Sequence, residues 1–129
     1  MMTNELREAK KLREKASVLF DQQAVAAAIT NVAKKMNEAL ADKNPVLLCV
    51  MNGAVVFMGQ LVTQLTFPLQ IDYVHVTRYM GGIEGREIHW VAEPNISLKD
   101  RNIVIIEDIL NRGLTLAAVK IFCINHGAA

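Results

Sequence analysis

The sequence predicts an α/β fold in which a mostly parallel sheet is flanked by helices. Two short apolar runs, 44–51 and 102–108, have the composition of strands that are buried on both faces, and such strands are typical of parallel sheets. A segment with helical periodicity follows each run. The third observation is a pair of strand-like segments on either side of the glycine-rich stretch 81–85, which predicts a two-stranded flap.

Length and composition indicate one globular unit. The chain has 129 residues, and we expect 1–129 to form a single domain that includes an N-terminal helical segment over 1–41. Hydrophobic residues make up 52% of the chain and charged residues 21%. Because the formal net charge is only +1, we expect no nucleic-acid partner and no anionic membrane surface as partner.

The N-terminus and the cysteines favour a cytoplasmic location. The first residues, MMTNELREAKKLREKA, are charged and helix-like, so no secretory leader is predicted. The most apolar window is interrupted by Asn52 and Gly53 before it is long enough to cross a bilayer. Cys49 and Cys123 have neither a metal-ligand spacing nor a partner nearby in sequence, which fits a reducing compartment.

Two helices are predicted before the first strand. A second helical pattern covers 25–40, and the two helices part near Phe20 and Asp21. The apolar positions of the first helix recur at spacings of three and four residues: Leu6, Ala9, Leu12, Ala16 and Leu19.

The rest of the chain alternates between strands and helices. Residues 54–65 have helical spacing, and Pro68 is expected to close that helix. The flap strands are predicted at 69–80 and 86–93, with Trp90 packed within the flap. Residues 114–125 are predicted to form the last helix, which ends at Gly127, a favoured C-cap residue.

The stretch IIEDILNRGLTL, residues 105–116, carries the first candidate site. Glu107 and Asp108 repel each other at the end of a buried strand, and sugar hydroxyls or a metal ion bridging phosphates would relieve that repulsion. Gly113 lets the backbone approach a ligand, and Thr115 lies at a helix start, where free N–H groups favour an anion. The turn matches neither GxxxxGK[ST] nor GxGxxG. A strand end followed by an aspartate helix cap is the simpler alternative.

The stretch MNGA, residues 51–54, is the second candidate site, because it also lies between a strand and a helix. Gly53 and Ala54 leave the backbone bare, so an oxyanion could bind there. In an α/β sheet both loops lie beyond the carboxyl ends of the strands. Two phosphate-sized sites beside an acid pair suggest a sugar that carries phosphates at both ends. A plain strand-to-helix turn is the alternative for 51–54.

The same residues resemble a known family. IVIIEDILNRGLTL resembles the phosphoribosyl diphosphate (PRPP) motif of type I phosphoribosyltransferases. Together with CVMNGAVVF, PLQIDYVHVTRY, GREIHW and LKDRNIVIIEDIL, it is similar over essentially the whole chain to bacterial hypoxanthine (guanine) phosphoribosyltransferases. Those enzymes transfer the ribose phosphate of PRPP to N9 of a 6-oxopurine with Mg²⁺, releasing pyrophosphate and forming, from hypoxanthine, inosine monophosphate. The resemblance implies their fold and function in purine salvage, and a homo-oligomer.

The resemblance also implies a role for individual residues. Glu107 and Asp108 would bind the ribose hydroxyls of PRPP, partly with the metal. Arg78 and Tyr79 would begin the flap that closes over the reaction. The pyrophosphate loop would comprise Met51, Asn52 and Gly53, and the 5′-phosphate loop would comprise Asn111, Arg112, Gly113, Leu114 and Thr115.

The sequence departs from that family at two places. Asn111 occupies the position of an aspartate proposed to take or share the proton at N7 of the purine, and an amide cannot act as a base. The family also continues past Ala129 into another core strand and a hood segment that holds the base. We therefore expect an incomplete purine pocket and an exposed sheet edge beside 102–108.

Three classes of function are weighed on these grounds. The first is a purine phosphoribosyltransferase, and the second is a relative that binds PRPP or a nucleotide without turnover. A receiver domain is disfavoured, because receivers place their adjacent acids after the first strand. Three histidines, His75, His89 and His126, have no ligand spacing and are expected to be surface or core residues and not metal ligands.

Overall fold

The computed structural model describes residues 3–78, 88–110 and 113–129. Four strands form one sheet in the order β3-β2-β1-β4. The strands are β1 (Val46–Met51), β2 (Gln70–Arg78), β3 (Ile88–Ala92) and β4 (Ile103–Ile106). The helices are α1 (Asn4–Lys15), α2 (Gln22–Leu40), α3 (Val55–Val62) and α4 (Leu114–Asn125).

The sheet is parallel except at the flap, which confirms the predicted α/β fold. β1 is central and pairs in parallel with both β2 and β4, so that Val46 lies opposite Gln70 on one side and Ile103 on the other. β3 returns antiparallel to β2, with an irregularity in register between His75 and Val76. The carboxyl ends of β1, β2 and β4 therefore meet at one edge of the sheet.

The central strand is buried on both faces, as predicted. Leu47 and Cys49 pack on the face covered by α2 and α3, whereas Leu48 and Val50 pack on the face covered by α4. Because successive side chains of a strand point to opposite faces, one apolar run serves two cores. In the described residues α1 contributes no buried side chain.

The start of α2 agrees with the predicted break near Asp21, whereas α1 and α3 both end earlier than predicted. The first helix was expected to include Ala16 and Leu19, but α1 ends at Lys15, because the chain becomes extended at Ala16. Asp21 caps α2, and its carboxylate accepts a hydrogen bond from the Ala24 N–H at 2.8 Å. The helix α3 ends at Val62 and does not continue toward Pro68. Asn37 of α2 accounts for the early end, because its side chain donates to the Gln64 carbonyl and accepts from the Thr66 N–H.

Two further predictions about packing were wrong. The run 102–108 was expected to be buried on both faces, yet only Ile106 of β4 is buried, because β4 pairs with β1 alone and lies at the end of the described sheet. The expected exposed edge beside that run is consistent with this position. Trp90 was expected to pack within the flap, but it stacks on Phe122 of α4, with ring centroids 4.5 Å apart.

The predicted end of the last helix is confirmed, since α4 stops before Gly127, which has a φ of 81°. Within the described ranges, the structure has no helix with the length and apolarity needed to cross a membrane.

Candidate functional site

A cavity of about 240 Å³ lies at the carboxyl edge of the parallel strands. Each parallel strand contributes residues to the wall of this cavity. The parallel strands end at the same edge of the sheet, so the loops that follow them meet there. The wall includes Met51 at the end of β1 and Gly53 after it, Arg78 at the end of β2, Glu107 and Asp108 after β4, and Gly113, Leu114 and Thr115 at the start of α4. The structure thus brings both candidate loops and the first flap residue to one cavity.

The adjacent acids lie just beyond the last residue of β4. Glu107 is half-buried, and the Asp108 N–H donates to its carboxylate at 3.1 Å. Burial raises the pKa of Glu107, and the side chain and charge of Asp108 raise it further, while that backbone hydrogen bond acts in the opposite direction. Ionisation of Glu107 beside Asp108 therefore carries a cost that a cation or hydroxyl donors would lower.

The loop after β1 lies against the second acid. A Cβ atom added to Gly53 would be 2.6 Å from one carboxylate oxygen of Asp108 and 2.8 Å from the other. Only glycine allows this approach without a shift of the carboxylate. The peptide bond between Met51 and Asn52 is cis, and Ala54 behind the loop is fully buried. Bare backbone and a carboxylate thus face the same space.

The start of α4 supplies the third wall. Gly113 precedes the helix in the left-handed conformation, with a φ of 69°, and as a glycine it supplies no side-chain cap to the N–H groups of the first turn. Such groups are free to bind an anion. The Thr115 hydroxyl accepts a hydrogen bond of 3.3 Å from the Arg78 guanidinium, so that the end of β2 and the start of α4 are joined across the cavity.

Comparison with known proteins identifies the family. A model described as the phosphoribosyl transferase domain matches residues 15–129. The chain belongs to the phosphoribosyltransferase family. It is 35% identical over 101 residues to the hypoxanthine-guanine phosphoribosyltransferase of Mycoplasma pneumoniae, a match that covers 78% of this chain and 58% of the relative. The enzyme of the same name from Streptococcus thermophilus is 30% identical over 104 residues, covering 80% and 58% respectively.

Solved structures agree with this assignment. A hypoxanthine-guanine phosphoribosyltransferase from L. donovani superimposes with a TM-score of 0.78 at 27% identity, covering 88% of this chain and 71% of that one. A Bacillus anthracis enzyme of the same description has a TM-score of 0.81 and supports the fold, at 19% identity. The chain spans less than two thirds of the length of the curated relatives it matches.

Several predicted site residues lie outside the described residues. They are Tyr79 of the flap and Asn111 and Arg112 of the 5′-phosphate loop, together with the glycine-rich flap tip. Asn52 belongs to the β1–α3 loop, and its carbonyl accepts from the Val55 N–H at 3.2 Å. It is not among the residues that line the cavity.

The donor set suits a hard cation that is shared with a ligand. Among the described residues, no cluster of three or more His, Cys, Asp or Glu side chains could hold a metal ion. The two carboxylates are oxygen donors of the kind that Mg²⁺ prefers, and Mg²⁺ is commonly held by one or two carboxylates together with substrate phosphates. The pair therefore fits Mg²⁺ bound with a phosphorylated ligand.

Sequence reasoning missed part of the cavity lining. Val50 and Val76 form an apolar floor, and Ile109 and Leu110 form an exposed rim. Their apolar character was read only as strand and turn packing. Cys49 lies on β1 near the acids, and burial and the charge of Glu107 both raise the pKa of its thiol. The parallel pairing of the strands was the signal that could have placed these residues together.

Proposed function

We propose that this chain acts in purine salvage as a phosphoribosyltransferase that transfers the ribose phosphate of PRPP to hypoxanthine or guanine and releases pyrophosphate. The observation that carries the proposal is the approach of Gly53 to the Asp108 carboxylate. It sets the predicted pyrophosphate loop beside the predicted ribose-binding acids, in the cavity that Thr115 also lines. A ligand with phosphates at both ends of a sugar matches that arrangement.

Each part of the cavity suits one part of PRPP. The carboxylates of Glu107 and Asp108 would accept hydrogen bonds from the two ribose hydroxyls, which are strong because the acceptors are ionised. The loop formed by Met51, Asn52 and Gly53 would leave room for the pyrophosphate where Gly53 carries no side chain. The first turn of α4, with the Thr115 hydroxyl, would bind the 5′-phosphate through its free N–H groups.

Arg78 and Mg²⁺ would supply positive charge. The Arg78 guanidinium already reaches Thr115, so it lies within the cavity where the 5′-phosphate is proposed to bind. Bound Mg²⁺ would be held by Glu107 and Asp108 with the ligand, and it would neutralise the charge of the pyrophosphate leaving group. Closure of a flap that begins at Arg78 and Tyr79 would exclude water from the reacting sugar.

A second candidate function is PRPP or nucleotide binding without turnover. The residue that favours it is Asn111, since an amide cannot share a proton with N7 of the purine. The acids, Gly113 and Thr115 retain the binding motif, so binding is better supported by the residues than chemistry.

A radiolabel assay separates the two functions. Formation of labelled inosine monophosphate from PRPP and hypoxanthine with Mg²⁺ would be measured for the chain and for Asn111→Asp. Turnover by either protein supports the transferase, with Asn111→Asp expected to be about 100-fold faster if the carboxylate acts as general base. No turnover by either protein, with Mg²⁺-dependent PRPP binding intact, favours the binding function.

The predicted cytoplasmic location and homo-oligomer remain predictions.

A further inference from the structure

A second cavity, of about 570 Å³, lies between α2 and α3 on the face of the sheet opposite α4. We name this cavity the α2–α3 groove. Apolar side chains form most of its wall, and several of them are largely exposed to solvent: Phe20, Val25, Val32 and Val56. A contiguous apolar surface of this kind marks a place where another structural element binds.

The helix α1 lacks a packing surface of its own. It has 12 residues, a length at which an isolated helix is only marginally stable in water, and within the described part of the chain none of its side chains is buried. Leu6 is 49% exposed and Leu12 is 70% exposed. With Ala9 between them, these residues form an apolar stripe along one side of the helix. This stripe would be stabilised by an apolar surface against which to pack.

We propose that the α2–α3 groove is the docking surface for α1 of the same chain, and that docked α1 closes over the back of the candidate site. The connection between the helices is the first argument. Residues 16–21 join α1 to α2, and loops of about 2 to 8 residues commonly join neighbouring helices. The backbone is extended at Ala16 and at Asp21, so the two helices are separate bodies that can fold back on each other.

The register of the two helices is the second argument. An antiparallel arrangement that pairs the end of α1 with the start of α2 sets Leu12 opposite Val25. Further along, Ala9 lies opposite Ala28, and Leu6 reaches the far end of the groove. Two alanines at the contact let the helix backbones approach closely. The apolar stripe of α1 thus meets the apolar lining of the groove along its length.

Charge is the third argument. Among the described residues, Asp108 is the only ionisable side chain in the groove wall, and it also lines the candidate site. Because α2 leads into the amino end of β1, its first turns lie toward the carboxyl edge of the sheet, where Asp108 is. The last turn of α1, which would pack there, carries Arg13 and Lys15. Docking therefore brings cations toward a lone carboxylate.

Docked α1 would regulate the candidate site. This part of the inference rests on the proposed function, whereas the docking of α1 does not. A Lys or Arg side chain beside Asp108 would compete with Mg²⁺ for the carboxylate. The docked form is therefore expected to bind PRPP with Mg²⁺ about tenfold more weakly than the undocked form, because it loses a charge-assisted contact.

Disulfide trapping tests the docking. In a variant that carries Ala9→Cys and Ala28→Cys together, the two thiols would be close enough to bond when α1 is docked. The matched control carries Lys11→Cys and Ala28→Cys. Oxidised glutathione should link the first pair within one chain at least about tenfold faster than the control pair, because Lys11 lies on the opposite side of α1. Mass spectrometry distinguishes a linked chain of 14.3 kDa from two linked chains.

Hydrogen exchange gives a second measurement without engineered thiols. Leu12→Ser and Lys11→Ser lower the helix propensity of α1 to a similar extent, but only Leu12 faces the groove in the docked arrangement. The backbone amides of α1 should therefore exchange about tenfold faster in Leu12→Ser than in Lys11→Ser.

The outcomes are distinct. Docking of α1 is overturned if the two cysteine pairs are linked at the same rate, if links form only between chains, or if the two serine variants exchange alike. A trapped chain that binds PRPP as tightly as its reduced form retains the docking and overturns the regulation. Absence of PRPP binding in both forms overturns the proposed function and leaves the docking in place.

Discussion

The absence of a side chain at Gly53 lets the two candidate loops lie against each other. Gly53 lies against the end of the Asp108 side chain, which can rotate, so an added methyl group would displace the carboxylate at little cost to the fold. Gly53→Ala is expected to weaken Mg²⁺-dependent PRPP binding about tenfold, measured by calorimetry, because a charge-assisted hydrogen bond is lost or bent.

Gly59 provides the matched control. A Cβ atom at Gly59 would meet nothing within 4 Å, and the residue lies within α3. Gly59→Ala should leave PRPP binding unchanged and raise the free energy of unfolding by about 0.5 to 1 kcal/mol, since alanine favours the helix. Equal affinity in Gly53→Ala and Gly59→Ala would show that the contact with Asp108 has no role in binding.

Ionisation of Glu107 should make stability depend on pH. The fold raises the pKa of Glu107, chiefly through burial, so the folded chain holds this proton to a higher pH than the unfolded chain. Stability is thus lost as pH rises from the ordinary glutamate pKa, about 4.3, through the folded pKa. Glu107→Gln should therefore raise the thermal midpoint at pH 7 and change it little at pH 4.

The control for Glu107→Gln is Glu14→Gln on the exposed helix α1, which removes the same charge from a residue that does not line the cavity. If Glu107→Gln raised the thermal midpoint equally at pH 4 and pH 7, the destabilisation caused by Glu107 would not come from its ionisation. Addition of Mg²⁺ and PRPP should reduce the difference in thermal midpoint between the wild-type chain and Glu107→Gln at pH 7. The wild-type carboxylates bind the cation, whereas the amide variant binds it poorly.

At the scale of elements, the segment that connects β3 to β4 is held by the buried carboxylate of Asp72. Asp72 of β2 is 7% exposed, and its carboxylate accepts hydrogen bonds from the N–H groups of Tyr73, Asn95 and Ile96 at 2.7 to 2.8 Å. Asp72→Ala is expected to lower the free energy of unfolding by about 3 kcal/mol, because three donors lose an ionised acceptor.

Urea denaturation measures this loss, and Asp21→Ala is its control. Asp21 is an exposed helix cap with one such hydrogen bond, so its removal should cost only about 1 kcal/mol. A cost for Asp72→Ala no larger than that of Asp21→Ala would mean that the turn 94–97 is held by other contacts.

Element types could be predicted from sequence because they depend on local periodicity. The apolar run of β1 and the break between two helices near Asp21 are local signals, and both were predicted correctly. The errors concern long-range contacts. The end of α3 depends on Asn37, 27 residues away from Gln64, and Trp90 packs on Phe122 of a helix that follows later in the chain.

At the scale of the whole molecule, the sheet order decides which loops meet. The sequence indicated three separate features: the acid pair, the loop at Gly53 and the helix start at Thr115. They were predicted to lie together because ligands of α/β sheets bind beyond the carboxyl ends of the strands. It could not indicate that Arg78 contacts Thr115, 37 residues later, or that Asp108 also lines a second cavity, which α2 and α3 border. Those facts require the tertiary arrangement.

The central claim is that PRPP binds in the cavity between Gly53, Asp108 and the start of α4. Calorimetric titration of the chain with PRPP and Mg²⁺ tests it most directly, with Asp108→Asn and Thr115→Val as variants and Ile124→Ala, exposed elsewhere on α4, as control. The account predicts Mg²⁺-dependent binding of one PRPP per chain, weakened about 10- to 100-fold by Asp108→Asn and less by Thr115→Val, and unchanged in the control. Absence of binding, or equal affinity in all four proteins, would contradict it.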